Sequence, residues 1–336
     1  MALVRLLLGI LLAAVFGLWL GTSLALPQEV TPPLQLEATI PLGDVHGRID
    51  HMAIDLPRRR LFVAELGNDS VAVVDLDRRA VVRTITKLKE PQGVAYLADA
   101  DLLYVACAGD GAVHVFQGTD YAPIGRIALG ADADNIRLEA ATGRVFVGYG
   151  TGALAVLDST SQQKIGNLPL GAHPESFQLD EQTPRIFVNL PNAHAIAVLD
   201  PVTGRHLASW PTHDLTSNFA MALHRDRQRV LVAFRHPAKL RVFSMSDGAV
   251  VASTEICGDA DDVFVDPKRQ RAYVSCGDGA VDVLDTSSPT YVRTARIPTV
   301  RGARTSLFVP ELDVLFVAAR AGAGQPPAIW VFRPAS

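Results

Sequence analysis

Residues 61–76, LFVAELGNDSVAVVDL, set an apolar strand of the form aromatic-Val, a short turn rich in Gly, Asn and Asp, and a second Val-rich strand in direct succession. The same sentence is written again at residues 103–116, LYVACAGDGAVHVF, at residues 186–200, IFVNLPNAHAIAVLD, and at residues 272–285, AYVSCGDGAVDVLD. Three looser copies, VFVGY, VLVAF and LFVAA, complete a column anchored on Phe62, Tyr104, Phe146, Phe187, Leu231, Tyr273 and Phe316, spaced 42, 42, 41, 44, 42 and 43 residues apart. A fixed period of this length is the mark of a repeat architecture.

Working outward from the anchors, each copy is preceded by one more apolar strand, beginning at His51, Gly93, Asn135, Ser176, Ala220, Asp262 and Ser306. Six copies are followed by an outer strand, as in AVVRTIT, PIGRIALG, HLASWPT and YVRTARIP. The strands are short and β-branched, and the turns between them supply residues suited to positive φ. Four-stranded units of 40 to 45 residues that bury their faces only against their neighbours predict a β-propeller. The seventh unit lacks its outer strand, because the chain stops at WVFRPAS, while LQLEATIPL at residues 34–42 fits that missing strand and stands before the first unit. The expected fold is therefore all-β, a seven-bladed propeller with four antiparallel strands per blade, its ring closed by the N-terminal strand.

Residues 1–25 carry Arg5, an apolar run from Leu6 to Leu20, and then Ser23-Leu24-Ala25, a small-residue pattern suited to signal-peptide cleavage. With its tail to Leu26 the run is also about as long as the ~20 residues a membrane-spanning helix needs. The expected division is a signal peptide or uncleaved anchor over 1–25, a linker over 26–33 and a single propeller over 34–336. That places the protein in the periplasm or outside the cell, or holds it on the membrane by residues 6–26. A 49% apolar and 20% charged composition is that of a packed globular chain. With 31 basic against 35 acidic residues and no long Lys/Arg run, a dedicated nucleic-acid surface is disfavoured.

The repeats LFVAELGNDSVAVVDL, LYVACAGDGAVHVF and IFVNLPNAHAIAVLD resemble those of the Tyr-Val-Thr-Asn (YVTN) propellers, common among exported bacterial proteins; the likeness spans about residues 34–333, although the Thr-Asn pair is rarely kept here. The resemblance implies the propeller fold. Similar propellers include lactone hydrolases, subunits of quinone- and haem-dependent redox enzymes, DNA-binding proteins and binding scaffolds, so fold alone selects no function.

In a propeller the loops entering the first strands converge at one end of the central channel, and here they are polar. The expected ligand-binding residues are Arg48, Asp50 and His51 in blade one, Asp134 and Asn135 in blade three, His173 and Glu175 in blade four, Asp261 and Asp262 in blade six and Arg304 in blade seven. Gln92, and His213, Asp214 and Asn218 of blade five, belong to the same ring; Glu65, Tyr149, Asn189, Arg235, His236 and Arg320 follow the second strands and open on the same end. Such a cup suits a small polar or anionic ligand, a metal or a protein partner; the same groups could instead hydrogen-bond one another and hold channel water. No metal-site spacing, CxxCH haem attachment, GxSxG elbow or Gly-rich phosphate loop occurs, so no metal ligand, cofactor or catalytic residue is assigned. The leading function is non-catalytic binding. A lactonase-like hydrolase using Glu175 with His51 or His173, or a subunit of a redox complex, stands second, and single-stranded nucleic-acid binding near Arg235, Lys239 and Arg241 third. Asp75, Asp158, Asp200 and Asp285 close third strands and are expected to bond local backbone N–H groups. Cys257 and Cys276 are open to either a disulfide or two thiols, and Cys107 is expected to be a free, buried thiol.

Overall fold

A computed structural model of the chain describes residues 31–322 and 324–335; the export segment and most of the linker expected over 1–33 lie outside the described residues. Seven four-stranded antiparallel sheets follow one another around a ring. In blade one Met52–Asp55 is innermost, followed outward by Arg60–Glu65, Ser70–Asp75 and Ala80–Ile85, and the next five blades repeat this order.

The seventh blade is assembled from both ends of the chain. Leu34–Pro41 pairs antiparallel with Ala328–Pro334, from Leu34 opposite Pro334 to Pro41 opposite Ala328. It completes the sheet whose inner strands are Val314–Ala319 and Ser306–Val309. The closing strand serves two interfaces, since Leu34 packs between blades six and seven and Ile40 between blades seven and one. Arg333 donates to Glu37 across the closure.

The aromatic-Val strands are apolar on both faces because each blade is sandwiched between two others. Leu61 and Val63 pack against blade seven, whereas Phe62 and Ala64, pointing the opposite way, pack against blade two. Tyr104 and Ala106 then face blade three while Leu103, Val105 and Cys107 face blade one. The alternation continues around the ring, so the core is seven slabs between neighbouring blades. The period-2 side-chain geometry of a strand makes this arrangement from a continuous apolar run.

The four strand-closing aspartates do what their position predicts. Asp75 accepts the backbone N–H groups of Asp77 and Arg78, Asp158 that of Ser161, Asp200 those of Val202 and Thr203, and Asp285 that of Ser287. Cys257 and Cys276 are joined by a disulfide with their Cα atoms 5.8 Å apart, and Cys107 is free and buried.

Candidate functional site: the polar cup

The loops that enter the first strands meet at one end of the ring around a cavity of about 290 Å³. Nine of the ten expected residues line it: Arg48, Asp50, His51, Asp134, Asn135, His173, Glu175, Asp261 and Arg304. The tenth, Asp262, lies one step further in. It lines the adjoining channel of about 480 Å³ that runs between the inner strands, and its carboxylate accepts the backbone N–H of Ser306 at 2.8 Å, tying blade six to blade seven. His51 borders both spaces.

Close packing of loops from successive blades sets the geometry. Gly93 stands where the first strand of blade two runs against the entry loop of blade three, and a Cβ there would sit 2.1 Å from the Asp134 carbonyl oxygen. Glycine at 93 is therefore what lets Asp134 reach the cup.

All three guanidiniums of the cup are occupied by carboxylates. Arg48 donates to Asp50 at 2.7 Å. Arg235 donates to Asp261 and to the Ala260 carbonyl, and its guanidinium lies 3.9 Å from the centroid of the Phe219 ring. Arg304 bridges Asp261 and Asp259, each at 3.0 Å. His173 has Nδ1 2.6 Å from the Gly150 carbonyl oxygen. His51 stands 3.7 Å from Asp50 and 3.8 Å from Asp262, looser than a hydrogen bond.

Two carboxylates in the cavity are left over. Among the described residues, neither Asp134 nor Glu175 has a side-chain hydrogen bond or ion pair, including any from Glu175 to His51 or His173. Burial raises Asp134 to about 6, with the Asp50 charge adding to it. It raises Glu175 to about 8, reinforced by Asp134 and Asp261. Asp262 rises to about 6, burial outweighing the help of His51. On His51 burial opposes the charge, but Asp50, Asp262, Asp134 and Asp261 together outweigh it and raise its pKa. At neutral pH the cup thus holds a protonated Glu175 beside a largely ionised Asp134.

The remaining ring members divide. Gln92 and Arg235 line the cavity. Glu65 instead accepts Ser70 Oγ inside blade one, Tyr149 bonds Asn167, Asn189 donates to the Phe219 and Ala220 carbonyls, and His236 and Arg320 also stay outside the lining. These residues end second strands, one strand further from the axis, and only the long Arg235 side chain spans the difference. In blade five, His213 and Asp214 are exposed and Phe219 takes the cup position. A bulge between Asn218 and Ala220 and a positive φ at Ser217 extend that inner strand back to Thr216 and turn Phe219 inward. Asp132 also lines the cavity without having been expected; it stands two residues ahead of Asp134, and only the depth of the entry loop brings it in.

No protein-family model matches the chain, and no curated protein matches it. Solved structures do. The hydrazine synthase of Kuenenia stuttgartiensis superposes with a TM-score of 0.76 at 17% identity, covering 87% of this chain and 98% of that one. A chain of a mitotic checkpoint complex superposes with a TM-score of 0.76 at 14% identity, covering 98% of each. At these identities the likeness is one of fold, the seven-bladed propeller.

Proposed function

We propose that this chain is an exported propeller that binds, without catalysis, a small polar ligand carrying a positively charged group, or such a group on a protein partner, in the cup formed by Arg48, Asp50, His51, Asp134, Asn135, His173, Glu175, Asp261 and Arg304. One observation carries the reading: every guanidinium in the cup is already neutralised by a carboxylate, whereas Asp134 and Glu175 face the cavity without a partner. A free carboxylate in a partly desolvated site is completed by an ammonium or similar donor, and an anion would have to displace an internal ion pair. This keeps the polar ligand of the sequence expectation and sets aside its anionic one. A protein partner is in keeping with the complex in which one of the similar propellers occurs. Membership of the YVTN propellers fits the repeats, and export fits the paired cysteines as well as the N-terminal pattern.

The reading is tested by screening small ammonium compounds for thermal stabilisation of the protein. Affinity should rise between pH 6 and pH 9 as Glu175 gives up its proton, and Asp134→Asn should lower it by ~10-fold or more, the ~1.4 kcal/mol or more of one charge-assisted contact. Stabilisation by anions alone, unaffected by Asp134→Asn, would overturn it. A second reading rests on the same Glu175. A carboxyl held near pH 8 is poised for general-acid work, so a lactonase-like hydrolase is the enzymatic alternative. Turnover of simple lactones, abolished by Glu175→Gln, would put that reading first.

A further inference from the structure

We propose that Cys107, Asp110 and His114 form a binding site for a divalent cation of the zinc type, at the turn joining the second and third strands of blade two and apart from the cup. A thiol sulfur, a carboxylate oxygen and an imidazole nitrogen lie here within 4.8 Å of one another. None of the three lines the cup.

Blade six supplies an internal comparison. Cys276 ends its second strand as Cys107 ends that of blade two, opposite Ala280 and Ala112 respectively. Two residues further along the third strands stand Asp282 and His114, each opposite an arginine of the outer strand, Arg296 and Arg126. In blade six the cysteine is consumed by its disulfide, and Asp282 takes Arg296 at 2.7 and 2.9 Å and the Cys257 backbone N–H at 2.7 Å. That corner is satisfied. In blade two there is no second cysteine and the third-strand position carries imidazole, while the turn aspartate is kept, Asp110 here standing where blade six has Asp278 in the same Gly-Asp-Gly-Ala-Val run.

The blade-two corner is not satisfied. Oδ2 of Asp110 lies 3.0 Å from His114 Nε2 and 3.1 Å from Arg126 Nη2, but Oδ1 is buried and has no hydrogen-bond partner. An unpaired buried carboxylate oxygen is costly, and a cation supplies the missing partner. The mixed S, N and O donor set suits zinc and its neighbours, with water in a fourth position, and is unsuited to magnesium or calcium, which take oxygens. A cation bound here takes the Cys107 sulfur as thiolate, so binding releases a proton. Arg126, on the Asp110 carboxylate, is the opposing charge.

The test is titration of the tag-free, disulfide-intact protein with Co²⁺ and then Zn²⁺. The site predicts one Co²⁺ per chain with near-ultraviolet thiolate-to-cobalt absorption, displaced by Zn²⁺. Cys107→Ser should abolish the band. His114→Ala, at a partly exposed position that leaves the fold intact, should weaken binding by more than the ~10-fold that loss of an outer partner costs, and Arg126→Met should tighten it several-fold. Absence of bound cobalt, binding without the thiolate band, or full affinity retained in His114→Ala would overturn the proposal.

Discussion

At the residue scale, Glu175 and Gly93 make the account most exposed to test. The carboxyl of Glu175 sits at about 8 in the fold against an ordinary 4.5, so the folded state holds an extra proton between these values. Stability contributed by that proton is complete at the lower end of the window and is lost as pH rises towards 8. Chemical denaturation at pH 5 and pH 8.5 should therefore show a less stable protein at the higher pH, and Glu175→Gln should remove a large part of the difference. At Gly93 the Asp134 carbonyl leaves no room for a methyl group. Gly93→Ala should destabilise by ~1–3 kcal/mol, the usual cost of overpacking, and weaken cup binding at the same time, both read by thermal shift with and without ligand. The residue scale is also where the sequence was least legible. The convergence of Asp50, Asp134, Glu175 and Asp261 follows from their place before inner strands, which the repeat fixes. Phe219 depends on a bulge and Arg235 on side-chain reach, and neither is encoded in a period. That Asp134 and Glu175 are the unpaired carboxylates follows from which partner each arginine chose, a matter of ångströms.

At the scale of the element, the strands were legible because each repeats seven times and any single ambiguous segment is settled by its counterparts. The aspartate-closed turns were legible for a chemical reason, the short side chain reaching N–H groups two or three residues on. The cysteine pair was not, because both ends of strand needed to be placed before a Cα separation of 5.8 Å could be known. That bond clips the connection leaving the blade-five outer strand to the end of the second strand of blade six across a sequence separation of 19. Closing a loop of this size removes unfolded-state entropy worth roughly 3 kcal/mol. The double variant Cys257→Ser/Cys276→Ser should lose about that much in denaturant unfolding, while Cys107→Ser should leave the disulfide content unchanged in thiol counting.

At the scale of the whole molecule, stability is a property of the closed ring. Each apolar slab needs two blades, and the seventh blade needs both ends of the chain. Removing Leu34–Pro41 would bare the edge of Ala328–Pro334 and strip Leu34 and Ile40 from two interfaces at once. The truncated chain should lose its single cooperative unfolding transition and associate through the open edge, as light scattering would report. Ring closure also brings the seven entry loops together, so the cup exists only in the assembled circle.

The measurement that bears most directly on the central claim is native mass spectrometry of the protein purified from its native source, beside the Asp134→Asn/Glu175→Gln double variant. The account predicts a stoichiometric small molecule bearing a positively charged group, or a partner chain, on the wild type and its loss from the variant. A bound anion retained by the variant, or a wild type that is empty and stays empty with every ammonium compound offered, would contradict it.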